Sequence, residues 1–481
     1  PVPVARMALP WDPVHAVVMN IPLADWSSDP ALAQTLGDLL RALLPRVEVI
    51  GLYHEEDYRL LADWLGEMEN DPRVAPHLEH LSLLATEVDL LWARDYVPHF
   101  GRGENGRLVA VDPSFFPARR LMNNLQNAKS AFDPLDQYFS LRDGAAELQD
   151  RRGADLAGAF LVPFIEARWQ VPTALSRPPI YLLGGDFLLV DDETALISPE
   201  TLAENGGRSA AFAGHVRDYF GIEEVITLEN LPGDTIEHLD FLLQPMGPHT
   251  FVVASVPESF GGERTYHRFL ERELRARLER NRARLEARFP EHRFVEVPMP
   301  PPLLDDEARV VDELFLHSVQ RIAAERGYPF EPEEGNGLDP RALDFRLRTA
   351  VQTATGLSDW NDPAARRQAV SRYLGQPIEE LIARHVEEQL RYRSYVNSLL
   401  LRTADGAAAI LVPRYRPSNS AEAPLIARLE AQAAAAYREA IPGVEVLWID
   451  CTSIADYLGA IHCLTATIPD FAALGVGPTD E

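Results

Sequence analysis

Only two of the 481 residues are cysteine, too few to staple a chain of this size, so a disulfide-built secreted fold is excluded. At most Cys451 and Cys463 could pair with each other. Lysine occurs once, at Lys129, and the other basic residues are arginine. Against 45 basic residues stand 73 acidic ones, a formal net charge of −28. That balance argues against nucleic acid as a partner, since neutralising phosphates needs clustered basic residues. No uninterrupted apolar run reaches the roughly 18 residues a membrane span requires, so a membrane protein is not expected either. The chain begins at Pro1 rather than at Met, which leaves room for a removed leader; a cytoplasmic location is favoured and secretion left open. With 46% hydrophobic and 25% charged residues, the composition is that of an ordinary folded protein with one large core or two smaller ones.

Strand-like and helix-like segments alternate along the chain. Ala16 to Ile21 reads as a strand. Ser28-Asp29-Pro30 supplies a capping side chain followed by proline in the first helical turn, and Leu32, Leu36, Leu39, Leu40 and Leu43 then recur at helical spacing. Val47 to Leu52 returns to a strand, completing a βαβ-like unit. Two hairpins are expected downstream, Phe187–Val190 with Ala195–Ser198 and Phe241–Gln244 with Phe251–Val256. A strand, a helix from Pro424 to about residue 440, and a strand at Val444–Ile449 repeat the theme. Thr265 to Phe289 reads as a long amphipathic helix, with Glu271/Arg275 and Glu273/Arg277 as i,i+4 pairs. Helical segments at Asp306–Arg326 and Pro377–Leu390, separated by loops at 329–340 and 356–363, mark residues 303–393 as a helical insertion into an α/β core made of 1–302 and 394–481.

Three fragments carry candidate chemistry. Gly459-Ala460-Ile461-His462-Cys463 places a thiol where small residues let the backbone approach a ligand, a plausible nucleophile. Trp92-Ala93-Arg94-Asp95 puts a carboxylate where an apolar strand meets a loop. His238-Leu239-Asp240 offers an imidazole and a carboxylate which, in an extended segment, face the same side. Gly184-Gly185-Asp186 adds a tight entry into a strand. A thiol, an imidazole and two carboxylates are suited to attack on a planar cation. No Cys/His cluster with zinc spacing is visible, so neither metal nor organic cofactor is expected.

In order and spacing these fragments resemble the guanidino-group-modifying superfamily, which includes agmatine, arginine and protein-arginine deiminases and the amidinotransferases. Trp92 to Pro98 resembles its Trp-Ala-Arg-Asp-aromatic-Gly-Pro element, Gly184–Asp186 its Gly-Gly-Asn/Asp strand, and His238–Asp240 its His-x-Asp. Gly459 to Thr465 with Pro469 resembles the agmatine deiminase ending, and Trp11-Asp12-Pro13, Tyr395-Val396-Asn397 and Val412-Pro413 match in order. The resemblance leaves the helical insertion outside. It implies a pentein fold, a five-fold α/β propeller of ββαβ modules. It also implies a catalytic set of Cys463, His238, Asp240 and Asp95, with Asp95, Asp240, Trp92, Arg94, Gly185, Asp186 and Asn397 binding substrate. There are departures: Val97 replaces a usual Gly, Glu237 replaces a common Gly, and Leu183 stands where agmatine and arginine deiminases carry a Glu that supports the catalytic His. Asp186 is then the stand-in to orient His238.

The implied reaction is hydrolysis of a guanidino group to a ureido product and ammonia through a cysteine thiouronium intermediate. Its partner is a small cationic guanidino substrate or an arginine side chain. A protein-arginine deiminase, an amidinotransferase using the same residues, and a non-catalytic pentein binding protein are the alternatives. Homo-oligomerisation is left open.

Overall fold

The computed structural model describes all residues except 89, 116–152, 233, 235–237, 258–264, 304–306, 329–342, 388–390, 456, 458 and 478–481. Lys129, Glu237 and the expected loop at 329–340 lie outside the described residues. Five small sheets repeat one connectivity. In the fifth, Leu399–Arg402 pairs antiparallel with Ala408–Arg414, the chain crosses over through the helix Ala423–Ala440, and Glu445–Asp450 returns parallel to the middle strand. The same ββαβ order builds the fourth sheet from Leu243–Gly247, Thr250–Ser255 and Arg293–Pro298, with the helix Thr265–Arg288 as the crossover. The third uses Leu188–Leu189, Thr194–Ile197 and Glu224–Thr227. The second joins His99–Gly103, Leu108–Val111 and Thr173–Ser176, with Val4–Met7 added at its edge. In the first, the strands Val14–Asn20, Glu48–His54 and Leu81–Thr86 are parallel, and their antiparallel partner is Thr465–Pro469. The two ends of the chain therefore meet in one sheet.

Local sequence explains where these elements start. Asp29 accepts from the amides of Ala31 and Leu32 at the head of the helix Pro30–Leu43, which is the capping arrangement Ser28-Asp29-Pro30 announces. The leucines at helical spacing are all buried: Leu32, Leu36, Leu39, Leu40 and Leu43. Arg275 and Arg277 of the long helix donate to the carbonyls of Pro257 and Asn230, so the helix is fastened to loops of the core, and Arg282 pairs with Glu286 along its own face. Both cysteines are free thiols. No helix among the described residues is long and apolar enough to cross a membrane.

Among the described residues the segment after the fourth sheet holds four helices, Glu307–Arg326, Phe345–Thr355, Pro363–Leu374 and Ile378–Glu387. The middle two escape sequence reading because their apolar residues are sparse. Phe315, Val319, Leu347, Val351, Trp360 and Val370 pack into a core of their own, separate from the large central one. At the neck, Leu303 and Arg391 exchange backbone hydrogen bonds at 2.8 and 3.5 Å. Just beyond it the Tyr392 hydroxyl donates to the carbonyl of Pro232 at 2.6 Å, and the Arg393 guanidinium donates to that of Pro301 at 2.7 Å.

A cavity of about 90 Å³ is lined by strands of all five sheets, among them Val14, His99, Leu188, Gln244 and Leu399. Arg94 and His462 also line it, and they lead to the groups described next.

Candidate active site

Cys463 sits in a single helical turn, Ile461–Leu464, just before the strand Thr465–Pro469. This turn is held from beneath by Asn397, whose Oδ1 accepts from the amides of His462 at 3.0 Å and Cys463 at 3.4 Å. The Nδ2 of Asn397 donates to Cys463 Sγ at 3.1 Å. Asn397, expected at the substrate, is thus engaged in fixing the nucleophile's backbone and sulfur. Trp92 lies on the other side of the turn. A Cβ on Gly459 would come within 2.1 Å of its indole ring, so only glycine permits this approach.

Asp95 does not project from a strand end: Ala93–Tyr96 is one helical turn, and the Gly185 N–H donates to its carboxylate. Nor is His238–Asp240 an extended run. His238 is extended, but Leu239–Phe241 form a short 3₁₀ turn, because the chain must bend into the strand that follows. The outcome expected from strand alternation is nevertheless reached by the turn: donor atoms of His238, Asp240 and Cys463 lie within 4.8 Å of one another. His238 Nε2 is 3.7 Å from Asp95 Oδ1, and Cys463 Sγ is 3.7 Å from Asp240 Oδ2. That three-residue cluster has the donor types of a metal site, but the polar atoms around it fit an organic cation better. Both ring nitrogens of His238, Asp95 Oδ1 and Asp240 Oδ1 are buried without a hydrogen-bond partner among the described residues. Such atoms are costly unless something fills them. Two acceptors flanking a thiol match the N–H edges of a planar cation.

Asp186 takes another position. Its carboxylate accepts from Ser198 Oγ at 2.6 Å, from the Ser198 amide, and from the Thr201 hydroxyl, at the start of the helix Pro199–Glu204. Burial pushes its pKa up to about 7, with the two hydroxyls opposing. It makes no hydrogen bond to His238, so the suggested stand-in for the missing Glu at Leu183 works at most through its charge. The imidazole is located instead by Asp95 and by Gly185, where a Cβ would lie 2.5 Å from His238 Nδ1. Gly185 is thereby explained twice, as amide donor and as the gap that admits the ring.

Arg94 is half-buried beside these groups, with Nε donating to the His462 carbonyl at 3.4 Å. Burial lowers its pKa to about 10, against the pull of Asp240, Cys463 and Asp95. His462 was not singled out in the sequence. It stands next to the nucleophile, and its Nδ1 is 2.6 Å from Asp240 Oδ2. Its position immediately before Cys463 in the Ile-His-Cys element was the available signal.

Burial and the two carboxylates set the electrostatics of the site. Burial, then Asp240 and Asp95, push the Cys463 thiol well above its ordinary value. Burial disfavours charge on His238, but Asp95, Asp240 and Asp186 outweigh it and raise its pKa. Burial raises that of Asp95 as well. The thiol is therefore protonated at neutral pH. Because the raised value belongs to an acid that becomes anionic, reactivity toward a neutral alkylating agent is small at pH 7 and climbs as pH rises through and beyond 9. A cationic amidine compensates the carboxylates, favours the thiolate, and should level off at lower pH. Mass-spectrometric alkylation rates for Cys463 with 2-chloroacetamide and 2-chloroacetamidine between pH 6 and 10 check this; superimposable profiles would contradict it.

Comparison with protein families matches residues 6–469 to the family described as Porphyromonas-type peptidyl-arginine deiminase. That range runs through the helical segment expected to lie outside the resemblance. No curated protein sequence matches. Among solved structures the chain is similar to the agmatine deiminase of C. jejuni, with 14% identity, a TM-score of 0.54, and coverage of 97% of this chain and 96% of that one. It is similar also to the agmatine deiminase of Enterococcus faecalis, with 15% identity, a TM-score of 0.57, and coverage of 97% and 96%. At these identities the likeness establishes the fold, and the five ββαβ sheets are those of a pentein.

Proposed function

The chain belongs to the Porphyromonas-type peptidyl-arginine deiminase family, and from that premise we propose that it is a hydrolase of guanidino C–N bonds with Cys463 as nucleophile. The observation that carries this reading is the convergence of Cys463, His238, Asp95 and Asp240 around buried acceptor atoms that have no partner within the described protein. Asp95 and Asp240 take the N–H edges of the guanidinium; at about 4 Å and an effective dielectric of about 20 each contact amounts to roughly 4 kcal/mol of attraction before desolvation. The bound cation stabilises the thiolate. Sulfur attacks the central carbon, the C–N bond breaks, and protonated His238 gives its proton to the departing ammonia. The thiouronium that remains is attacked by water, one proton of which passes to His238; the C–S bond breaks to release the thiolate, and the second proton leaves to the solvent as the neutral ureido product forms. His238 suits this role because its ring nitrogens are free of hydrogen bonds among the described residues, whereas His462 Nδ1 is committed to Asp240.

The substrate is a compound or side chain ending in a free guanidinium. We read the helical segment as a specificity element, since Tyr392, just beyond its neck, is bonded to the carbonyl of Pro232, which precedes His238 in the chain. Incubation with agmatine, arginine, arginine-containing peptides and dimethylarginine, with ammonia and ureido product measured together, tests the proposal. Ureido product and the displaced amine, ammonia or, from dimethylarginine, a methylated amine, in equal amounts from one of the four are expected. Release from none would overturn it, and transfer of the amidino group to an added amine without ammonia would make the enzyme an amidinotransferase.

A further inference from the structure

Asp240 has two oxygens in different circumstances. Oδ2 lies 2.6 Å from His462 Nδ1 and 3.7 Å from Cys463 Sγ; Oδ1 is buried and without a partner among the described residues. A carboxylate is an acceptor only, so the 2.6 Å contact requires a proton on Nδ1 of His462. The imidazole is neutral: burial and then Arg94 lower its pKa to about 4, against Asp240. The groups facing it are Arg94, Asp240 and His238, with Asn397 bonded to its backbone amide. A neutral Nδ1–H donor can hold one carboxylate oxygen without cancelling the carboxylate's charge, as an arginine or lysine in its place would. The thiol competes for the same oxygen from a longer distance and as a weaker donor.

We propose that His462 is a positioning residue that pins Asp240 through Oδ2, so that the full negative charge and the open Oδ1 are presented to the cationic edge of the substrate. The inference rests on the guanidino-hydrolase reading above. Without the pin, Asp240 would be free to rotate and to take the thiol proton as its principal hydrogen bond, and the clamp on the cation would loosen while the nucleophile, still held by Asn397, stayed in place.

Two reagents that differ only in charge separate these effects. 2-Chloroacetamidine and 2-chloroacetamide both form a C–S bond to Cys463 with loss of chloride, but only the first presents an N–H-bearing cation to Asp240. In the full-length chain His462→Ala should lower the rate with the amidine by roughly tenfold to a hundredfold, the range of a lost hydrogen bond to a charged group, and leave the rate with the amide within about threefold of wild type. With a turned-over substrate, KM should rise more than kcat falls. His462→Asn, whose amide nitrogen can occupy the place of Nδ1, should restore most of the amidine preference, and His462→Gln, whose amide reaches one bond further, should not. An unchanged preference in His462→Ala, or equal loss with both reagents, would overturn the assignment. Should the alanine variant fail to fold by circular dichroism, the Asn and Gln variants decide it, and equal behaviour of those two counts against it. A wild-type protein with no amidine preference would overturn the guanidino reading itself, independently of His462.

Discussion

Cys463→Ala is expected to release no measurable ammonia from a guanidino substrate, a fall on the order of 10⁴-fold or more, as when the nucleophile is removed from other enzymes that act through a covalent intermediate. The fold should survive. The side chain is 2% exposed, so the change opens a hole about the size of one sulfur atom, and at about 24 cal/mol per Å³ of cavity this costs roughly 1 kcal/mol or less. The lost Asn397 contact to sulfur adds little, because Asn397 keeps its bonds to the amides of His462 and Cys463. Equal ammonia release by variant and wild type, at matched thermal midpoints, would eliminate the assigned nucleophile. Cys451→Ala is the control. Cys451 is fully buried and its amide donates to the Arg414 carbonyl, a bond that the substitution retains, and the groups acting on its thiol are Asp450 and the Arg414 backbone rather than the residues of the site. Activity should remain near that of wild type.

The second large effect is expected at the clamp. Asp95→Asn and Asp240→Asn each keep the shape of the side chain and remove one charge aimed at the cation, so kcat/KM should fall about 10²- to 10³-fold in each, the scale of a charge-assisted hydrogen bond lost in a buried site. The two differ in a second respect. In Asp240→Asn the new amide N–H₂ can confront the Nδ1–H of His462, donor against donor, so this variant should be the more damaged. In Asp95→Asn the carboxylate nearest His238 loses its charge, and with it the largest of the influences raising the His238 pKa. His238 then deprotonates at lower pH, and if its protonated form releases ammonia, the alkaline limb of the rate profile must move to lower pH. Steady-state profiles from pH 5 to 10 test the direction. A limb that stays in place or moves upward would remove His238 from the role of acid.

Sequence alone fixed the elements whose cause is local. The cap at Asp29, the leucine spacing of the following helix, the hairpin at Leu188–Leu189 with Thr194–Ile197, and the helix–strand traffic near the C-terminus all follow from near-neighbour chemistry. The identities of Cys463, His238, Asp95 and Asp240 were legible as well, because a nucleophile, a base and paired acids are scarce enough in ordered fragments to be noticed together. Distance and direction were not legible. Strand alternation would turn His238 and Asp240 toward one pocket, yet a 3₁₀ turn accomplishes it. Asp186 and Asn397 have the right chemistry for a ligand, but Ser198 and Thr201 occupy one and the nucleophile's turn occupies the other. Those partners lie 12 to 15 residues away for Asp186 and 66 away for Asn397, and the side chain a polar group satisfies is chosen by packing. The same holds for His462, visible as a letter beside the cysteine but given its task only by a carboxylate 222 residues earlier in the chain. Residue type sets what a group can do. Only the meeting of five sheets, with the C-terminal strand laid against Val14–Asn20, decides which of those capacities are used up inside the protein and which are left open for a substrate.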